Sequence, residues 1–278
     1  PDLGGPSPIV PGRHRDPEVF VARASALVQR YGPHLKERYQ TMVLDLPPEV
    51  TGELLRNLEQ ALLGSDVALC RWAGTRHSMQ VHGWRAAAGV VGGLIGADGG
   101  AVHRGLAGRQ VPLSGGRRVR PDRSAKLIRG DEVLAPVEGE DRLMVVEVAP
   151  NMESCRVSND PSFRRPLGSW PISALRVAKA VHRTLQETAS QFVFEATNPA
   201  QAVGLAAALQ QSLMPFVNLG LVSGPPGKAT PDVSGGLDLN PSHPNLYADV
   251  QATLRPWSRR LDLKVSLKPN GQPELEES

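Results

Sequence analysis

The first seventy residues alternate between helical and strand patterns, and this alternation restricts the fold more than any other feature of the chain. A first helix is predicted to start at Asp16-Pro17, where Asp can cap the helix and Pro suits its first turn, and to stop at Gly32-Pro33. A second helix is predicted after Pro47-Pro48. The apolar runs TMVLDL (41–46) and VALCRW (67–72) predict buried strands. Helices that alternate with strands favour an α/β fold with a partly parallel sheet, with α+β as the open alternative.

The glycine-rich segment 86–100, AAAGVVGGLIGADGG, lies beyond these elements. Its glycines do not fit the G-x-G-x-x-G or G-x-x-x-x-G-K-[ST] spacing of phosphate-binding loops. No apolar run of the chain approaches the roughly 20 residues of a membrane-spanning helix. Gly89/Gly93 and Gly92/Gly96 are each four residues apart. Whether the segment is a helix or a strand, these small residues predict a close approach of another backbone.

Residues 99–143 have no helical period and separate their charges into a basic and an acidic block. The net charge of the chain is only +3, and the basic block lacks the interleaved aromatic residues on which bases stack. Nucleic acid is therefore not an expected partner, although a nucleic-acid-binding module stays an alternative. A solvated face, or pairing with a charged patch on a neighbouring protein, agrees better with the two blocks. The basic block contains Arg117, Arg118, Arg120, Arg123, Lys126 and Arg129, and the acidic block contains Asp131, Glu132, Glu138, Glu140 and Asp141.

The second half of the chain mixes helices and strands. Asn198-Pro199 repeats the combination of a helix cap and a proline. The last two apolar runs alternate strictly, which is typical of antiparallel strands. Residues 271–278, GQPELEES, have the composition of an acidic tail. The predicted helices are 172–190 and 200–216, and the predicted strands are 142–149, 191–196, 246–254 and 261–267.

The sequence contains no recognisable constellation of catalytic or metal-binding residues. Cys70 and Cys155 are not in a metal-ligand spacing and are expected to be reduced thiols. His77 and His82 are five residues apart, whereas a metal pair on one helix is four apart. No G-x-S-x-G motif occurs. We therefore expect no catalytic, cofactor-binding or metal residue and no cofactor, and the chain is not expected to be an enzyme. An α/β enzyme with an unrecognised site stays an alternative.

The order of several segments is similar to that of one known family. RYQTMVLDLPPEV (38–50) places a strand that ends in Asp and Pro before a helix, and GSDVALCRWAG (64–74) places a strand ahead of a loop. GWRAAAGVVGGLIGADGGAVHRGLAG (83–108) passes through small residues to an acid. SWPISALRVAKAVHRTLQETASQFVFEATNP (169–199) joins an Arg-bearing helix to an F-x-F-E run, and NLGLVSG (218–224) follows the next helix. In this order the segments resemble the contractile tail sheath proteins of myophages, R-type bacteriocins and related injection systems.

The resemblance implies a structural subunit without an active site. Such subunits stack as a helical homo-oligomer around an inner tube protein, and they also meet baseplate and cap or terminator proteins. Contraction of this tube drives the inner tube through a target envelope. The resemblance further implies assembly in the cytoplasm, followed by incorporation into a phage tail or phage-tail-like particle, with no membrane partner. A sheath-like cap or adaptor of the same apparatus is the alternative within this family.

The resemblance also implies a domain organisation and an inter-subunit interface. Residues 1–15 are expected to be an extended arm or linker, 16–190 a main sheath-like domain that includes the charged segment 99–143, and 191–278 a C-terminal subdomain with a second arm. A mixed sheet flanked by helices is expected between the two arms. In sheaths, terminal arms add strands to a neighbour's sheet. The expected interface residues are Leu261, Leu263, Val265, Leu267, Arg117, Arg118, Arg120, Glu274 and Glu276.

Overall fold

A computed structural model describes most of the chain. The chain divides into two compact units. The first unit consists of residues 1–100 and 105–172, and the second of residues 101–104 and 173–278. The predicted arm at residues 1–15 lies outside the described residues, as do Arg117, Arg118 and Arg120. The described residues are 16–46, 50, 52–72, 87–97, 104–112, 143–148, 154–157, 160, 162–163, 170–193, 198–239, 245–255, 257, 259–267 and 273–277.

The first unit is built around a mixed sheet of five strands. Its helices are α1 (Pro17–Glu37), α2 (Gly52–Leu62) and α3 (Ala87–Ala97), and its strands are β1 (Met42–Asp45), β2 (Val67–Trp72), β3 (Gln110–Pro112), β4 (Leu143–Val148) and β5 (Ser154–Val157). The strand order is β1-β2-β4-β5-β3. β1 is parallel to β2 and β2 to β4, whereas β5 is antiparallel to both β4 and β3. The predicted partly parallel sheet is therefore confirmed.

Strand β2 separates two hydrophobic clusters because its side chains alternate between the faces of the sheet. Val67 and Leu69 belong to a cluster that also contains buried residues of α1 and α2. Ala68 and Cys70 belong to a second cluster, with Val91 and Leu94 of α3. All four strand residues are fully buried, as expected for a strand that helices cover on both faces.

Helix α1 extends beyond its predicted end at Gly32-Pro33, which corrects the sequence prediction. Asp16 caps the helix as predicted, and its Oδ1 accepts a hydrogen bond of 3.0 Å from the Glu18 amide. Pro33 has no amide hydrogen to donate to the carbonyl of Gln29. Both residues are exposed, so water can satisfy that carbonyl and the helix continues. It ends after Glu37, where Tyr39 takes a positive φ of 53°.

The glycine-rich segment forms helix α3, but the predicted close approach of another backbone is wrong for three of its glycines. Gly92, Gly93 and Gly96 are exposed, and a Cβ added to any of them would have no heavy atom within 4 Å. The buried side of the helix is formed by Val91 and Leu94, which reach the sheet. The helix is therefore anchored by its branched residues rather than by its glycines.

The second unit combines two helices with an antiparallel sheet of five strands. The helices are α4 (Ile172–Ser190) and α5 (Pro199–Asn218), and the strands are β6 (Val222–Ser223), β7 (Asp232–Asp238), β8 (Asn245–Leu254), β9 (Arg259–Leu267) and β10 (Pro273–Glu277). The strand order is β10-β9-β8-β6, and β7 pairs with the other part of β8. The predicted antiparallel pairing of the last two apolar runs is confirmed by the register of β8 against β9, from Leu246↔Leu267 to Leu254↔Arg259.

Helix α5 and strand β7 approach each other closely at Gly235. The helix begins at a predicted cap, because the Asn198 Oδ1 accepts a 2.9 Å hydrogen bond from the Gln201 amide. A Cβ added to Gly235 would lie 2.2 Å from the backbone oxygen of Ala202 in α5. The absence of a side chain at this position is what allows the strand to lie directly against the helix.

Helix α4 begins after Pro171 as predicted, and Ile172, Leu175, Val181 and Leu185 are all fully buried. The strand predicted over 191–196 is wrong for residues 191–193, which form a turn, and the rest of that run lies outside the described residues. The amides of Gln191 and Phe192 donate to the carbonyls of Thr188 and Ala189, so the chain continues to coil at the end of the helix.

The predicted domain boundaries remain a prediction. They place α4 with the first part of the chain, whereas the compact second unit begins at residue 173. Compactness alone does not show which part of a chain folds independently.

Candidate assembly surface

Strand β9 carries the four apolar residues that the sequence analysis assigned to an interface. Leu261, Leu263, Val265 and Leu267 are 1%, 3%, 0% and 6% exposed. Together with Leu246, Ala248, Val250, Ala252 and Leu254 of β8, they make the buried face of the second sheet. β9 lies between β8 and β10, so both of its edges are hydrogen-bonded within this chain. These side chains pack inside their own subunit, and β8 and β10 occupy the two backbone edges of β9.

The predicted acidic tail contains a strand. Residues 273–277 form β10, which runs antiparallel to β9 with Glu274 opposite Ser266, Leu275 opposite Val265 and Glu276 opposite Lys264. Glu274 and Glu276 are exposed, whereas Leu275 on the other face is partly buried. The signal for this strand is the alternation of Leu275 between glutamates, which the acidic composition of the tail obscured.

The solvent face of the second sheet carries charges of alternating sign at one position across three strands. Lys264 of β9 lies opposite Asp249 of β8 on one side and Glu276 of β10 on the other. Opposite charges on directly facing residues contribute roughly 0.2–1 kcal/mol each. Nearer the start of β9, the Arg260 Nε lies 2.5 Å from the Asp262 Oδ2. This row ties Glu276, a predicted interface residue, to the sheet of its own subunit.

Tyr247 joins strands β7 and β9 on the same face. It lies opposite Gly236 of β7, and a Cβ added to that glycine would be 2.5 Å from the Tyr247 hydroxyl oxygen. The Lys264 ammonium lies 5.0 Å from the centroid of the Tyr247 ring. The ring therefore covers a glycine on one strand and meets a cation on another, so that it links three strands of the sheet.

Among the described residues, β10 is the outer strand on one side of this sheet, and β7 and the two-residue β6 are outer strands on the other. Both β7 and β10 are acidic. β7 begins with Asp232 and ends with Asp238, both exposed, and β10 presents Glu274 and Glu276. Lys228, in the turn before β7, pairs with Asp232. Charged residues on outer strands are a common defence against unwanted pairing with other sheets.

Cys70, the cysteine whose side chain the structure describes, is not set up as a nucleophile. Burial, followed by the neighbouring Asp45 carboxylate, raises the pKa of the thiol above its ordinary value. Its Sγ lies 3.4 Å from the Leu44 carbonyl oxygen and 3.9 Å from the Asp45 Oδ1. A nucleophilic cysteine needs the opposite shift, so this thiol acts as a small core residue.

Within the described ranges, no group of three or more His, Cys, Asp or Glu side chains is arranged to hold a metal ion. None of the helices that the structure describes is both long enough and apolar enough to cross a membrane. The clearest surface feature of the second unit is therefore its sheet, with the outer strand β10 and the charged face beside it.

Comparison with known proteins gives matches of structure rather than of sequence. No protein-family model matches the chain, and no curated protein matches it. Among solved structures, the chain is similar to a chain of the anti-feeding prophage (AFP) baseplate, with a TM-score of 0.55 and 16% identity. That similarity covers 80% of this chain and 56% of the baseplate chain. A chain of the contracted AFP helical sheath is similar with a TM-score of 0.42 and 16% identity, over 78% of this chain and 64% of the sheath chain.

Of these two similarities, the one to the baseplate chain has a TM-score above 0.5, and at 16% identity it concerns the fold. The chain thus shares its mixed α/β fold with a chain of the AFP baseplate, and the resemblance inferred from the sequence is confirmed at the level of the fold. The chain spans about half the length of the baseplate chain that it matches.

Proposed function

We propose that the chain is a structural subunit of a contractile tail or contractile injection system. The observation that carries this proposal is the shared fold with a chain of the AFP baseplate over 80% of the present chain. The sequence resemblance to sheath proteins was inferred separately, from the order of segments, and points to the same kind of apparatus. The absence of an enzymatic role is part of the proposal. The subunit would act by binding neighbours in a phage-tail-like particle.

The specific role that we propose is that of a sheath subunit. It would assemble as a helical homo-oligomer around an inner tube protein, with baseplate and cap proteins at the ends, and would contract to drive that tube through a target envelope. A cap, adaptor or baseplate component is the second candidate, and the match to a baseplate chain favours it.

Electron microscopy separates the two roles. We expect negatively stained preparations of the protein, expressed with its neighbouring tail components, to contain striated tubes if it is a sheath subunit. A baseplate or cap component would instead give rings or end structures on tubes made by another protein. Monodisperse particles that never join any tail structure would contradict both roles, and activity on a small-molecule substrate would then support the enzyme alternative.

The charged interface can be tested by exchanging its signs. We propose that Glu274 and Glu276 of one subunit face Arg117, Arg118 and Arg120 of a neighbour, since the two sets are oppositely charged and the glutamates are exposed. Reversing either set alone should reduce assembly, and combining Glu274→Arg and Glu276→Arg with Arg117→Glu, Arg118→Glu and Arg120→Glu should restore it. Loss without restoration would contradict this pairing. Reversal of the exposed pair Arg183 and Glu187 on α4 is the matched control.

A further inference from the structure

Helix α1 has an exposed apolar flank beside its buried side. Val19, Leu27 and Tyr31 are 43%, 38% and 36% exposed, although each has a large and mainly apolar side chain. None of the three belongs to the hydrophobic cluster that contains Ala24 and Val28 of the same helix. These three side chains therefore lie outside the core that holds α1 on the first unit.

Two arginines lie among these apolar side chains. Arg23 completes a spacing of four residues from Val19 to Tyr31, and the Arg30 guanidinium carbon lies 5.5 Å from the centroid of the Tyr31 ring. At 3.6 residues per turn, these residues share an arc of about 120° around the helix. Among the described carboxylates, none forms an ion pair with either arginine.

The charge of this flank is positive. Arg23 and Arg30 are both exposed near its middle. Glu37, the acidic residue on the same arc, lies at the end of the helix, where its Oε2 is 3.5 Å from the His34 Nδ1. A surface with this distribution of charge attracts carboxylates and repels cationic partners.

We propose that this flank of α1 is a docking surface for an acidic amphipathic helix of another protein. The inference goes beyond the proposed function and does not depend on it. Val19, Arg23, Leu27 and Tyr31 follow one another at intervals of four residues, and such a row forms a ridge that packs into the groove of a second helix. Apolar side chains of the partner cover this ridge, and its carboxylates pair with the arginines. Tyrosine and arginine are the residue types enriched at such interfaces.

Two other anionic partners fit the flank less well. Nucleic acid is held mainly through its phosphates, which would leave Val19 and Leu27 without a matching contact. A membrane takes up the broad apolar face of an amphipathic helix, but the broad apolar face of α1, with Ala24 and Val28, is buried in its own unit. An acidic helix uses both the apolar and the cationic groups of the flank.

Two synthetic helical peptides of opposite charge test the proposal on the full chain. Each peptide has three heptads with Leu at the first and fourth positions, and the flanking positions are Glu in one peptide and Lys in the other. In fluorescence anisotropy we expect the Glu peptide to bind at least tenfold more tightly than the Lys peptide, and its binding to weaken as salt is added. Equal affinities, or no binding of the Glu peptide, would overturn the proposal.

Reversing the arginines should reverse this preference. We expect Arg23→Glu with Arg30→Glu to weaken binding of the Glu peptide at least tenfold and to make the Lys peptide the tighter ligand, a gain that misfolding cannot produce. Leu27→Ser tests the apolar part of the flank without changing the core cluster, and it should weaken the Glu peptide about fivefold. An unchanged preference in the arginine variant, or unchanged binding by Leu27→Ser, contradicts docking on this flank.

The matched control makes the same change in net charge elsewhere. Lys36→Glu with Arg183→Glu also reverses two exposed cations, but Lys36 lies about 120° around α1 from Arg30, and Arg183 is on α4. This variant should bind the Glu peptide as the wild type does, and an equal loss would show attraction by the whole molecule and overturn the proposal. Double-stranded DNA and phosphatidylserine vesicles are measured at the same salt concentration, and tighter binding of either would also overturn it.

Discussion

Gly235→Ala in β7 should destabilise the second unit, because the added methyl group has no space. Its Cβ would lie 2.2 Å from the Ala202 carbonyl oxygen, 3.0 Å from the Ala202 carbonyl carbon and 3.1 Å from the Ala206 Cβ. Two of these three atoms are helix backbone, which cannot rotate away as a side chain can. The strand or the helix must therefore move by about 1 Å to restore van der Waals contact.

The expected size of this effect follows from two opposing contributions. Overpacking of a rigid contact typically costs about 1–3 kcal/mol. Replacing Gly by Ala in a strand gives back about 0.5–1 kcal/mol, because the unfolded chain loses conformational freedom. Gly235 has no positive φ that would add strain. The net expectation is a decrease of about 1–2 kcal/mol in the free energy of unfolding.

Gly204→Ala in α5 is the matched control, since it makes the same substitution in the same unit. Its Cβ would meet only the Gln201 Oε1 and the Phe192 Cε1, both at the ordinary distance of 3.7 Å. Inside a helix this change should increase the free energy of unfolding by about 0.5–1 kcal/mol. The two variants should thus differ in sign.

Hydrogen exchange of amides in β8 and β9 measures both variants without a contribution from the first unit. These strands form the centre of the second sheet, and their slowest amides report the opening of that unit. Stabilisation by both variants, or a Gly235→Ala effect below about 0.3 kcal/mol, would refute the conclusion that the Ala202 backbone leaves no space for a methyl group on β7.

Three further outcomes follow from single contacts. Asn198→Ala should destabilise α5 by about 1 kcal/mol through loss of its cap, while Asn198→Ser should keep most of the stability. Hydrogen exchange of the α5 amides measures both variants, and equal effects would contradict the capping role. The pKa of Cys70 is raised in the folded chain, so above about pH 9 the unfolded chain loses a proton that the folded chain keeps. The free energy of unfolding should therefore fall by up to about 1.4 kcal/mol per pH unit in that range. Urea denaturation of wild type and Cys70→Ala compares these slopes, and an unchanged slope in the variant would contradict the assignment. A double-mutant cycle of Tyr247→Leu and Lys264→Met should give a coupling energy of about 0.5 kcal/mol in urea denaturation, and zero coupling would show that the ring and the cation act independently.

Much of the fold could be predicted from local patterns. The Asp16 and Asn198 caps, the alternation of β8 and β9, and the apolar run of β2 all determine local structure strongly, and each element exists where it was expected. The errors occurred where context outweighs a local signal. Proline normally breaks a helix, but Pro33 lies on an exposed face, where water can satisfy the carbonyl that loses its hydrogen bond. The sequence pattern around Pro33 does not show that exposure.

The assembly surface could be predicted only in part, because the sequence does not reveal which strands meet. Leu261 and Leu263 were recognised as alternating strand residues, but their burial depends on β8, which comes earlier in the chain. The role of Glu276 depends likewise on its register against Lys264. Register is set by pairing across the whole sheet, so a local pattern identifies a strand without identifying its neighbours.

The acidic outer strands limit the ways in which two free copies can associate. In the described part of the second sheet, joining β7 of one copy to β10 of another would bring Asp232 or Asp238 near Glu274 or Glu276, and like charges on facing strands are destabilising. The same glutamates therefore oppose simple edge-to-edge growth of the sheet, and they protect free copies from uncontrolled aggregation.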